Sequence, residues 1–120
     1  MPQADILEAI AQERIRQDQK FGVQDHPNGT GSTADQELSE FRKSLCNSRF
    51  KRGVGTWRDV LYEEVAEAFA ERNLNRLQEE LVQVTAVAVA WCEAIERQRI
   101  ARKRMIRADQ PSTQMGLKYE

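Results

Sequence analysis

The stretch EEVAEAFAERNLNRLQEELVQV, from Glu63 to Val84, holds six glutamates, and several fall where a helix should be apolar. At about 100° per residue, Val60, Glu64, Glu67 and Glu71 share one side of a helix, flanked by Trp57, Leu61 and Ala68. Beyond the turn NLN (Asn73 to Asn75), Glu80 shares its side with Leu77, Val84, Val87, Ala88 and Trp91, and Gln83 borders that side. Glu64, Glu67 and Glu80 therefore project among apolar neighbours. For antiparallel helices about a turn centred between Asn73 and Leu74, Glu67 falls level with Glu80 and Glu64 with Gln83. The first pair then lies roughly 10 Å below the turn. Three acids and an amide converge on one patch, with Glu63 on its edge and Glu79 within reach.

Clustered, half-buried carboxylates repel one another, and a charge left unpaired there is strongly destabilising. Protonation, an arginine or a divalent cation relieves it. Oxygen ligands at i, i+3 spacing suit Mg²⁺ or Mn²⁺ rather than zinc, and no histidine or cysteine stands nearby in sequence. A magnesium ion on carboxylates keeps positions for water and phosphate oxygens, which points to phosphate chemistry. The plain alternative is a solvated, glutamate-rich helix surface.

The elements that must hold these residues read as helices. Ile6, Leu7, Ile10, Ala11 and Ile15 keep helical spacing between about Ala4 and Lys20. FGVQDHPNGTGST (Phe21 to Thr33) breaks the pattern as a long loop. A second helix is expected over Ala34 to about Phe50, with Thr33 as its N-cap and Leu38, Phe41, Leu45 and Cys46 along one side. Thr56 with Asp59 forms a capping-box pattern that opens a third helix reaching about Arg72. Asn75 with Gln78 matches the same pattern ahead of a fourth helix running to about Arg107. Within that helix VTAVAVAWC (Val84 to Cys92) is apolar nearly all round, which demands burial on all sides. A chain of this size has trouble supplying that burial. The expectation is an all-α, antiparallel four-helix bundle over residues 1–107, completed by a second copy, and a flexible tail over 108–120.

Three blocks carry a resemblance. ERIRQDQKFGVQDHP (Glu13 to Pro27), TWRDVLYEEVAEAFAE (Thr56 to Glu71) and EELVQVTAVAVAW (Glu79 to Trp91) occur in one order. The pairing of EEVAE with ELVQ resembles the motif of the MazG-like nucleoside triphosphate pyrophosphohydrolases. The resemblance spans about Ile10 to Glu96 and is weakest between Gly31 and Val54. It implies Mg²⁺-dependent cleavage of a nucleoside or deoxynucleoside triphosphate between the α and β phosphates, giving a monophosphate and pyrophosphate. It also implies a homodimer or homotetramer of helical bundles. Carried over by position, Glu64, Glu67 and Glu80 would be metal ligands, and Glu63 would orient or deprotonate water or hold a second metal. The motif's final aspartate is Gln83 here, an amide that can coordinate but brings no charge.

A triphosphate needs further cations, and Lys20, Lys51, Arg52 and Arg58 flank loops near helix ends. KFGVQDHP supplies a recognition element, with Phe21 to stack a base and Gln24 and His26 to touch base or sugar. Each has a plainer reading as a surface charge, a loop anchor or a turn residue.

Composition sets the outer limits. Lys plus Arg number 18 and Asp plus Glu 19, so no global charge drives the chain toward nucleic acid or an acidic membrane. No apolar run spans a bilayer, and MPQADILEAIAQER lacks a secretory layout. Cys46 and Cys92 form no framework, which fits reduced thiols in a cytoplasmic protein. Two other functions fit parts of the pattern. One is a helical nucleotide-binding or interaction module whose catalysis has lapsed through Gln83. The other is a nucleic-acid binder using RQRIARKRMIR (Arg97 to Arg107), which has six basic residues but no interleaved aromatics.

Overall fold

In a computed structural model, which describes residues 2–109, the chain forms α1 (Gln3–Phe21), α2 (Thr33–Lys51), α3 (Trp57–Ala70) and α4 (Leu74–Ala108). No strand occurs among the described residues, so the all-α expectation holds. The tail expected from residue 108 lies outside them apart from Ala108, the last helical residue, and Asp109, its C-cap.

Local chemistry accounts for where the helices start and stop. Ser32, rather than Thr33, caps α2: its hydroxyl accepts from the Asp35 N–H at 3.0 Å and donates to the Asp35 carboxylate at 2.7 Å. The Thr56–Asp59 capping box forms as expected, and Asp59 Oδ2 also accepts from Arg49 Nε at 2.8 Å. That ion pair ties the end of α2 to the start of α3. It also holds the Asp59 carboxyl below the usual carboxylate range, with the Thr56 hydroxyl adding to the effect.

The α3–α4 turn departs from expectation. α3 ends at Ala70, and Asn73 caps α4 by accepting from the Arg76 N–H at 3.0 Å, so Asn75 lies inside the helix. Glu71 Oε1 accepts from the N–H groups of Arg72 and Asn73, each at 3.1 Å. An Asn capping from residue 73 with a glutamate cradling two orphan amides satisfies the turn more fully than the later Asn75–Gln78 pattern. The turn therefore centres on Arg72.

The far end of the α1–α2 loop is latched to this turn. Gly31 N–H donates to Phe69 O at 2.8 Å, Thr30 Oγ1 to Glu71 O at 2.8 Å, and Arg72 Nε to Gly31 O at 2.7 Å. Gly31 is buried with φ +92°, and a Cβ there would stand 2.4 Å from Arg72 Cγ. Only glycine meets both demands.

The helices lie side by side in the order α2, α3, α4, α1. The molecule measures 64 × 45 × 18 Å, less than two helices deep in its thinnest direction. Its radius of gyration is 20.0 Å, against about 13–14 Å for a compact chain of this length. Burial is correspondingly sparse: Ile6, Cys46, Ala66, Ala68, Leu77, Val89 and Ala94 are buried, while Leu81, Val82, Phe41 and Phe69 are exposed. The apolar stretch of α4 is not buried on all sides within one chain: Val89 is, but Thr85, Ala86 and Cys92 are exposed. None of the described helices is long and apolar enough to cross a membrane.

Candidate functional site

α3 and α4 bring the predicted acids together. Glu64, Glu67 and Glu80, all half-buried, each place one carboxylate oxygen within 4.8 Å of the others. The register follows from the turn. Glu64 and Glu80 stand equally far from Arg72, and Glu67 lies one helical turn nearer on α3. Glu67 meets Glu80 as expected, and Glu64 also reaches Glu80. Gln83 falls level with Leu61, a turn beyond the carboxylates, and is exposed.

The electrostatics follow from this crowding. Burial lifts all three carboxyls above the ordinary range, and neighbouring negative charge adds to it. After burial, Glu64 responds to Glu80 and Glu63, Glu67 to Glu64 and Glu63, and Glu80 to Glu67. A hydrogen bond joins Glu67 and Glu80, which requires the pair to share a proton. Three carboxylate oxygens set this close could hold a hard divalent cation.

Glu63 stands at the edge, toward α2. The buried Cys46 thiol is pushed up to about 11 by burial first and then by its hydrogen bond to Glu63. Cys46 therefore stays protonated at neutral pH and donates to the Glu63 carboxylate. Cys92 is exposed, and neither cysteine belongs to the acid cluster.

A cleft of about 380 Å³ opens beside the acids. Glu67, Ala70 and Glu71 line one side with Glu80, and Ser39, Glu40 and Lys43 of α2 complete it. The α2 wall was not singled out in the sequence, although Ser39, Glu40, Lys43 and Asn47 recur at helical spacing. That polar stripe was masked by the apolar one through Leu38, Phe41 and Leu45.

No protein-family model, curated protein or solved structure matches this chain. The functional reading therefore stands on the cleft and on the motif.

The other predicted contacts do not line the acidic cleft. Lys20 lies over its neighbour Phe21, 5.2 Å from the ring centroid. Gln24 and His26 are exposed and 3.5 Å apart through Nε2 atoms. Lys51 and Arg52 line a separate polar cleft at the end of α2 with Ser44, Asn47 and Ser48. Arg58 borders an apolar cleft of about 350 Å³ with Leu61, Tyr62, Val65, Phe69 and Trp91. On the α3 wheel Arg58, Tyr62, Val65 and Phe69 lie about 100° or more around from Glu64, with Leu61 between, so the apolar cleft is centred on a different side of the helix from the acids. The cations from Arg97 to Arg107 are all exposed and spread over a broad arc of about 220° of α4, away from the acidic cleft.

Proposed function

We propose that this chain is a Mg²⁺-dependent nucleoside triphosphate pyrophosphohydrolase, with Mn²⁺ as an alternative ion. The observation that carries the reading is the convergence of Glu64, Glu67 and Glu80, from two helices, with oxygens within 4.8 Å and basicities raised by burial. Those three carboxylates are the ligands that would hold the ion. When bound, such an ion neutralises charge on phosphate oxygens and acidifies nearby water. Glu63 is the base: its carboxylate, oriented by the Cys46 thiol, takes a proton from the attacking water. The water oxygen bonds to the α phosphorus, and the bond to the α–β bridging oxygen breaks. The monophosphate and pyrophosphate leave. The nucleotide substrate and unpaired thiols suit a cytoplasmic protein.

The thin, open arrangement supports completion by a second copy. Phe41, Phe69, Leu81 and Val82 are at least 48% exposed, an unusual load of open apolar surface for a finished molecule. We read the working form as a homodimer or homotetramer in which an antiparallel bundle closes between copies.

A panel of ribo- and deoxyribonucleoside triphosphates with Mg²⁺, read as released pyrophosphate, tests the reaction. Glu67→Ala is expected to lower turnover by roughly 100-fold or more, as loss of a direct ligand should exceed the cost of losing an outer one. Gln83→Asp, outside the cleft, is expected to keep activity. A fully active Glu67→Ala protein would end the site assignment. A second reading, a binding module without turnover, is favoured by Gln83, which places an exposed amide where the motif has an acid. Nucleotide binding with no pyrophosphate release would select it.

A further inference from the structure

The acidic cleft needs a positive wall to take a polyphosphate, and the cations expected from sequence are not in it. Three arginines near α3 are engaged elsewhere, and Arg58 borders the apolar cleft instead. Arg42 lies 3.5 Å from the Tyr62 ring centroid, Arg49 pairs with Asp59, and Arg72 donates to Gly31 O. Lys43 differs. It lines the cleft from α2, opposite Glu67 and Glu80, and forms no ion pair among the described residues. Its charge reaches the site, since it counters the rise at Glu67. Ser39, one turn earlier on the same wall, adds a hydroxyl donor.

We infer that Lys43 is the substrate-contacting cation of the cleft, meeting the phosphate chain from the α2 wall while the carboxylates of α3 and α4 face it. The inference rests on the nucleotide reading above. The arrangement separates two jobs. One wall is rich in oxygen ligands, and the other offers an uncommitted ammonium on a flexible stem, a point charge suited to mobile phosphate oxygens. Glu40 sits on the same wall and works against an anion, so it should weaken binding rather than help it.

Inorganic tripolyphosphate with Mg²⁺, followed by titration calorimetry, is a probe that does not depend on the base. Lys43→Ala is expected to weaken its binding roughly tenfold, the scale of one charged hydrogen bond. Lys43→Arg should recover most of that loss, and Glu40→Gln should bind as well as wild type or better. With a turned-over triphosphate, Lys43→Ala should raise KM by a similar factor. Because Lys43 is exposed, its replacement leaves the helical circular dichroism spectrum unchanged. Unaltered tripolyphosphate binding by Lys43→Ala, in a wild-type background that binds it, overturns the role of Lys43 and leaves the hydrolase reading intact. Equal weakening by Glu40→Gln also overturns it, since the effect would then not follow charge. A wild-type protein that neither binds tripolyphosphate nor releases pyrophosphate from any triphosphate removes the hydrolase reading itself.

Discussion

Glu64, Glu67 and Glu80 are held in the folded chain at a cost, because each binds its proton more tightly there than in the unfolded chain. For a raised carboxyl the folded state carries more protons, so its contribution to stability is greatest at low pH. It falls as pH rises from the ordinary value of 4.5 through the raised folded values. Asp59, held low by Arg49, has the opposite sign and loses its contribution as pH falls. A comparison of variants separates the two. In metal-free buffer at neutral pH, Glu67→Gln is expected to melt higher than wild type, and the difference should shrink as pH is lowered toward the carboxylate range. Magnesium should reverse the order by stabilising only wild type, by about 2.7 kcal/mol when present at 100 times its dissociation constant. Thermal melts with chelator and with Mg²⁺ across pH check this. A Glu67→Gln protein that melts below wild type in chelator would show that the carboxylates are solvated and unstrained.

At the scale of elements, the α3–α4 hairpin and the loop latched to it set the site's geometry. Glu71 illustrates the coupling. One of its oxygens caps the turn at Arg72 and Asn73, while the residue also lines the cleft. Three hydrogen bonds then join the turn to Thr30 and Gly31, just ahead of the Ser32 cap of α2. The latch thereby fixes where α2, with Ser39 and Lys43, begins. Gly31→Ala should strain this joint through both its positive φ and the approach to Arg72, costing on the order of 1–3 kcal/mol. A lowered urea midpoint with an unchanged slope is the expected result, together with weaker substrate binding. Much of this element-level design is legible in sequence. Helical periodicity in Ile6 and Ile10 and the Thr56–Asp59 capping box predict their elements closely. The Asn75–Gln78 match misled because Asn73, two residues earlier, is itself a good N-cap residue. Glu71 and the docked loop decide between them.

For the whole molecule, the decisive feature is a layer only 18 Å thick with large apolar side chains open on it. Such a layer buries too little on its own, so sedimentation of wild-type protein at micromolar concentration is expected to give a dimer or tetramer. Val82→Arg places a charge on a side chain that is 61% exposed in the single chain. If a second copy covers that surface, the variant should sediment as a smaller species and melt lower. Wild-type protein that sediments as a single chain would contradict the closed-bundle reading.

By itself the sequence determined the helical class, the boundaries of most helices to within a residue or two, and the convergence of three glutamates on one inter-helix surface. These are properties of periodicity and capping, which act over a few residues and are written locally. Tertiary structure alone decided that the turn centres on Arg72, that Glu64 as well as Glu67 meets Glu80, and that α2 supplies the facing wall with Lys43. Those outcomes depend on how distant segments dock. A docking arrangement is selected by many weak contacts and hydrogen bonds across the chain, and no single stretch of residues encodes it.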